Sequence, residues 1–166
     1  TSRFLARDGA DVAIWDRNID HAQSLVDEIR AMGRNAIACK VDISRRSDIE
    51  AAVQTVREAL GPVGILVNNA GISPERDFVD ITEEEWDTVM NVNAKGAFLF
   101  ARAAARPMIR QRKGAMLFVG NFASERVIEA PVHFAAAKSA LRGMTEALAR
   151  ELGRYGVRVN LLAPGL

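Results

Sequence analysis

The chain has 166 residues, 49% hydrophobic and 26% charged, which is apolar material enough for a sizeable core and a length within the ~100–200 residues of one domain. Lys and Arg number 22 against 21 Asp and Glu, a formal charge of +1, which excludes the electrostatic footprint of a nucleic-acid binder or of a protein drawn to an anionic membrane. No apolar run approaches the ~20 residues that span a bilayer, no signal-peptide pattern is present, and the single Cys39 can form no internal disulfide, so a reducing, cytoplasmic setting is expected.

The hydrophobic pattern alternates between short β-like runs and longer helical stretches. "TSRFLARDGA" reads as the rear of a helix, and "DVAIWD", Asp11 to Asp16, as a buried strand ending in an acid. Ala22, Leu25, Val26, Ile29 and Met32 then recur at helical spacing, with Gly33 as a stop. "NAIACKVD" is the next strand, with Cys39 expected as an inert core residue. Ile49, Val53, Val56 and Leu60 mark a second amphipathic helix closed by Gly61-Pro62, and "GILVNNAG" a third strand with a loop at its carboxyl end.

Thr82 and Glu85 form a capping-box pattern at the head of a long helical region, in which Gly96 and Pro107 are expected to mark breaks or bends. "GAMLFVG" is a fourth strand, Phe134 to about Gly153 a helix, and "VRVNLLAPG" a fifth strand with its exit loop. There is no repeat and no low-complexity linker.

Strands alternating with helices of this length imply parallel strands joined by right-handed crossovers: a doubly wound, mostly parallel α/β sheet, expected as one domain over residues 1–166. In such sheets ligands bind outside the carboxyl ends of the strands. Those ends carry Asp16, Asp42, Asn68 to Gly71, Gly120-Asn121 and Pro164-Gly165. A carboxylate at Asp16 can accept from both hydroxyls of an adenine ribose and would repel a 2′-phosphate, favouring NAD, while neighbouring Arg17 could pair with that phosphate and leaves NADP open. The alternative for Asp16 is a helix cap or a solvated turn acid. In "NNAG" small residues admit a close backbone approach and the amides can tie loops together; standing alone, the same letters would be an ordinary turn.

Taken in order, Asp16, "VDIS" at Val41 to Ser44, "NNAG" at Asn68 to Gly71, "NVN" ending at Asn93, "HFAAAK" ending at Lys138 and "RVNLLAPG" ending at Gly165 resemble the short-chain dehydrogenase/reductase family over essentially the whole chain. The resemblance implies a Rossmann-type sheet, a nicotinamide cofactor and interconversion of an alcohol and a ketone. It implies cofactor contacts at Asp16, Asp42, Ile43, Asn68, Ala70, Gly71, Lys138, Pro164 and Gly165, and no metal. Of the four catalytic positions of that scheme, Asn93 and Lys138 match the asparagine and lysine, while Phe134 stands at the tyrosine position and Asn121 at the serine position.

A benzene ring has no acidic hydrogen, so Phe134 cannot pass a proton; Asn121 can donate to a carbonyl but cannot relay a proton as a hydroxyl does. His133, rotated by roughly 100° from Phe134 along a helix, is expected to point elsewhere, in a surface or interface role. Ser124, Glu125 and Glu129 fall in the loop where the family contacts substrate, the glutamates being expected as solvated acids.

Relative to the family pattern, the first strand with its glycine-rich phosphate loop and the C-terminal substrate segment are missing, so the sequence is expected to be a piece of a longer chain. Loss of that strand would leave the edges at Val12 and Leu66 unpaired. Three functions stay open: an NAD(H)-binding silent subunit of a homo- or hetero-oligomer, a working enzyme of altered chemistry, and a nucleotide-sensing regulator.

Overall fold

Among the described residues, short β-branched and apolar runs form five strands, and the amphipathic stretches between them form the helices. The computed structural model describes residues 1–122 and 129–165. Ser124 and Glu125 therefore lie outside the described residues, and Glu129 is exposed. Contacts divide the chain into two compact units, Thr1–Val63 and Gly64–Leu166.

In the first unit a short helix α1 (Ser2–Arg7) leads into β1 (Val12–Asp16), α2 (Ile19–Ala31), β2 (Ala36–Lys40) and α3 (Arg46–Leu60). β1 and β2 pair in parallel with Val12 opposite Ala36 and Asp16 opposite Lys40, and the Val41 amide donates to the Asp16 carbonyl at 3.0 Å, which carries the pairing past the strand ends. α2 turns Ala22, Val26 and Ile29 inward, onto a core that includes Ala6, Val12 and Ala36. Asn18 caps it by accepting from the Asp20 amide, one of the donors a helix start leaves unsatisfied. Cys39 is half-buried beside Trp15 rather than sealed in the core; burial pushes its thiol up, against a weaker opposing hydrogen bond from Trp15, so little of it is the reactive thiolate.

The second unit contains β3 (Ile65–Asn68), a 3₁₀ turn at Phe78–Asp80, α4 (Glu83–Met90), a π turn at Asn91–Gly96, α5 (Ala97–Gln111), β4 (Gly114–Val119), α6 (Val132–Gly153) and β5 (Val157–Leu162). Its sheet is parallel in the order β3-β4-β5, built around Met116 and Phe118 of the central strand. The hydrogen-bonded ladders of the described residues thus form a two-stranded and a three-stranded parallel sheet. The capping box forms as read: the Thr82 hydroxyl accepts from the Glu85 amide and the Glu85 carboxylate from the Thr82 amide.

Pro107 does not break the long helix. It lies inside α5, beside fully buried Met108, where packing of one face outweighs the single backbone bond that proline forfeits. The irregularity lies at the other expected position: over Asn91–Gly96 the helix widens to a π turn that ends on Gly96. Such turns release backbone groups from the ordinary ladder and gather at functional sites.

Candidate functional site

All five strand exits carry the residues singled out from the sequence. In the first unit Asp16 closes β1 with its side chain exposed; Oδ1 accepts the Asn18 amide at 2.8 Å. Asp42 lies just past β2, where Oδ1 accepts from the Ser44 amide at 3.0 Å and the Ser44 hydroxyl at 2.7 Å, and Arg45 Nε approaches Oδ2 at 3.8 Å. The Ser44 bonds, helped by the charges of Arg17 and Arg45, hold this carboxyl below its usual range. Ile43 occupies the turn between Asp42 and Ser44, half-buried.

The second unit brings Gly71, Asn93, Phe134 and Lys138 together. Asn93, on the π turn and 1% exposed, grips the backbone beyond β3 with both ends of its amide: Nδ2 donates to the Ile72 carbonyl and Oδ1 accepts the Ile72 amide, each at 2.8 Å. Asn68 ties the end of β3 to the next layer by donating from Nδ2 to the Ala97 carbonyl at 3.3 Å. Ala70 and Gly71 remain exposed in the same loop. A Cβ built on Gly71 would lie 3.0 Å from Asn93 Oδ1 and 3.5 Å from Lys138 Nζ, so a glycine is what lets this backbone pass the two polar side chains.

Lys138, 6% exposed on α6, donates from Nζ to the Val119 carbonyl at 2.8 Å. Burial lowers its pKa from the ordinary lysine value. The same ammonium sits 5.6 Å from the centroid of the Phe134 ring, within the ~6 Å reach of a cation–π contact. Phe134 therefore keeps the aromatic ring beside the lysine and offers a π face to the charge.

Beyond β4 the ladder to β5 continues, the Gly120 amide donating to Leu162 O at 2.8 Å and the Phe122 amide to Pro164 O at 3.1 Å. Asn121 is held between these two bonds, half-buried, and Pro164 and Gly165 are exposed.

His133 departs from expectation. It is fully buried rather than superficial, because it opens the inward stripe His133, Ala137 and Leu141 of α6. Its Nδ1 accepts the Phe134 amide at 2.9 Å, standing in for a side-chain cap that Pro131 cannot provide, so the proton of the neutral ring lies on Nε2. That Nε2 has no hydrogen-bond partner among the described residues. The other residues missed from the sequence, Ile72, Val119 and Ala97, act through backbone atoms and leave no side-chain signature. The helical spacing of His133 with Ala137 and Leu141 is the sequence signal that could have placed His133 on the inward face.

A parallel α/β framework with a glycine-admitting loop, a buried lysine–asparagine pair and acids at two strand exits defines the class, and the model of the family described as short chain dehydrogenase matches residues 1–166. The chain belongs to that family. It is 32% identical over 161 residues to 5-keto-D-gluconate 5-reductase of Escherichia coli (strain K12), covering 97% of this chain and 63% of the relative. It is 35% identical over 168 residues to the (2S)-[(R)-hydroxy(phenyl)methyl]succinyl-CoA dehydrogenase subunit BbsD of Thauera aromatica, covering 100% of this chain and 66% of the relative. Among solved structures, a gluconate 5-dehydrogenase from Burkholderia cenocepacia J2315 in complex with NADP and tartrate superposes with a TM-score of 0.91 at 34% identity, over 99% of this chain and 64% of that one. The chain thus spans just under two thirds of the length of these relatives, 63–66%. No helix among the described residues is long and apolar enough to cross a membrane.

Proposed function

We propose that this chain is a dinucleotide-binding member of the family whose own alcohol–ketone proton transfer is disabled, serving as the silent subunit of an oligomeric dehydrogenase. The observation that carries the reading is the Phe134 ring standing 5.6 Å from Lys138 Nζ, where the family resemblance expects a phenol. The residues fit a nicotinamide dinucleotide: an ammonium has three donors, Val119 O takes one from Lys138, and two are left for ribose hydroxyls. The exposed Asp16 carboxylate has Oδ2 available for an adenine ribose, which favours NAD, and Arg17 beside it leaves room for NADP. Asp42, Ile43, Asn68, Ala70, Gly71, Pro164 and Gly165 would complete the contacts largely through backbone atoms.

Such a dinucleotide supplies hydride chemistry when bound. The chain's own residues then decide the fate of the proton at the substrate oxygen. Asn121 can donate a hydrogen bond to a carbonyl and polarise it, but its amide cannot give the proton up at neutral pH. Lys138 holds charge beside a ring that has none to transfer, and Asn93 spends both ends of its amide on Ile72. General acid–base help contributes ~10²–10⁴-fold, and its absence reduces turnover of a simple alcohol or ketone by this chain accordingly. The subunit reading draws support from a relative that is itself named as a dehydrogenase subunit.

The test is turnover by the full-length protein carrying Phe134→Tyr and Asn121→Ser together, with NAD(H) affinity followed alongside. Ketone reduction rising by ~10²-fold or more at unchanged NADH affinity is the expected outcome. Fast turnover by the native protein, unimproved by the two substitutions, would overturn the proposal. Tight NADH binding with no turnover in the double variant would point to a nucleotide-sensing role.

A further inference from the structure

His133 opens the inward stripe of α6, with Ala137 and Leu141 following at helical spacing and all three buried. An apolar side chain would fill that place without an unpaired donor. Histidine instead leaves Nε2 with no hydrogen-bond partner among the described residues, and a buried polar atom in that state is unfavourable. What the imidazole adds, and an apolar residue could not, is one acceptor: Nδ1 takes the Phe134 amide at 2.9 Å.

The first amides of a helix have no carbonyl four residues back within the helix, so the opening turn is held by whatever caps it. In α6 the cap position is Pro131, which has no side-chain acceptor, and the Phe134 amide falls to His133. This cap is itself anchored, because its ring is 0% exposed. Lys138 follows Phe134 about one helical turn later, and its ammonium lies 5.6 Å from the centroid of the Phe134 ring and 2.8 Å from the Val119 carbonyl. A continuous path runs from the buried imidazole through the backbone and ring of Phe134 to the ammonium.

We infer that His133 is a positioning residue of the nucleotide site: its Nδ1 fixes the backbone of Phe134, so that the ring stays over the Lys138 ammonium and keeps it aimed at a bound ribose. His133 acts through Phe134 and not on the ligand. The ribose rests on the dinucleotide reading proposed above; the link from His133 to the ring and the ammonium does not.

The test compares three full-length variants with the native protein. In His133→Asn the acceptor oxygen lies one bond beyond Cγ, where Nδ1 lies, and a buried amide nitrogen comes with it; in His133→Gln the acceptor sits one atom too far out; His133→Leu fills the volume and offers none. Two quantities are read: the Kd for NADH by equilibrium titration and, without ligand, the upfield NMR displacement that the Phe134 ring current imposes on the Lys138 side-chain protons. His133→Asn is expected to keep the displacement and to bind NADH within about twofold of native. His133→Leu and His133→Gln are expected to lose the displacement and to bind about fivefold more weakly, the order of one helix cap. Urea denaturation separates positioning from packing: His133→Leu removes the unpaired donor and should be at least as stable as His133→Asn, so that the better binder is the less stable variant. Were the histidine merely structural, affinity would follow stability.

A native-like displacement and affinity in His133→Leu, loss of both in a folded His133→Asn, or no displacement in the native protein would each overturn the inference. If His133→Asn does not fold, His133→Leu decides alone. If the native protein binds no NADH, the dinucleotide reading falls by itself, and the displacement in the ligand-free variants decides the positioning role.

Discussion

The two units hold their candidate ligand groups in opposite ways. In the first, exposed Asp16 and half-buried Asp42 each bond, through one oxygen, to a residue two positions along the chain. In the second, Asn93 and Lys138 are 1% and 6% exposed and clamp backbone far away in sequence, at Ile72 and Val119. A surface carboxylate can be lost at little expense to the fold. A buried amide or ammonium cannot, because its partners would be left unsatisfied in a low-dielectric interior. Under the proposed reading, Lys138 and Asn93 persist in this chain because they hold loops whether or not a ligand is bound. Their presence alone does not argue for turnover.

The sharpest way to break this comparison is Asn93→Ala. It removes two bonds and strands the Ile72 amide and carbonyl, and should cost about 2–4 kcal/mol in a urea denaturation curve. A loss under about 1 kcal/mol would show that the clamp is not structural.

Next in size is Asp16→Ala, where the burden should fall on binding. Loss of charge-assisted bonds to a ribose is expected to weaken NAD(H) by about tenfold in an equilibrium titration, while folding stability shifts by about 1 kcal/mol or less. Equal affinity in native and variant proteins would remove Asp16 from the site.

The smallest effect separates charge from packing at Lys138. Burial lowers the folded lysine's pKa below its ordinary 10.5, so the unfolded chain holds more protons between the folded value and 10.5. Stability contributed by this group must therefore rise with pH across that alkaline window, as the penalty of burying the charge is relieved. Lys138→Met should flatten this segment of the stability–pH profile; an unchanged slope would mean that the lysine is better solvated than its position implies.

Much of the fold was legible because its signals are local. Strand runs ending in Asp16, Asn68 and Val119, the Thr82–Glu85 box and the inward face of α2 follow from periodicity and from single-residue chemistry. Pro107 and His133 were misread for one common reason. Local preference forbids a proline inside a helix and sends a histidine to the surface, and in both places an apolar face packed around buried Met108 and Leu141 overrides it.

What the sequence determined by itself is therefore the alternation of strand and helix, the order of the strand-exit residues and the absence of a hydroxyl at Phe134, since each is a matter of residue type and spacing. Only the tertiary structure decided that Asn93 closes on Ile72 and that Lys138 is buried with its ammonium on the Val119 carbonyl. Those facts depend on distances between atoms far apart along the chain and on which side of a helix the core claims, including the shift introduced by the π turn, and no local rule contains them.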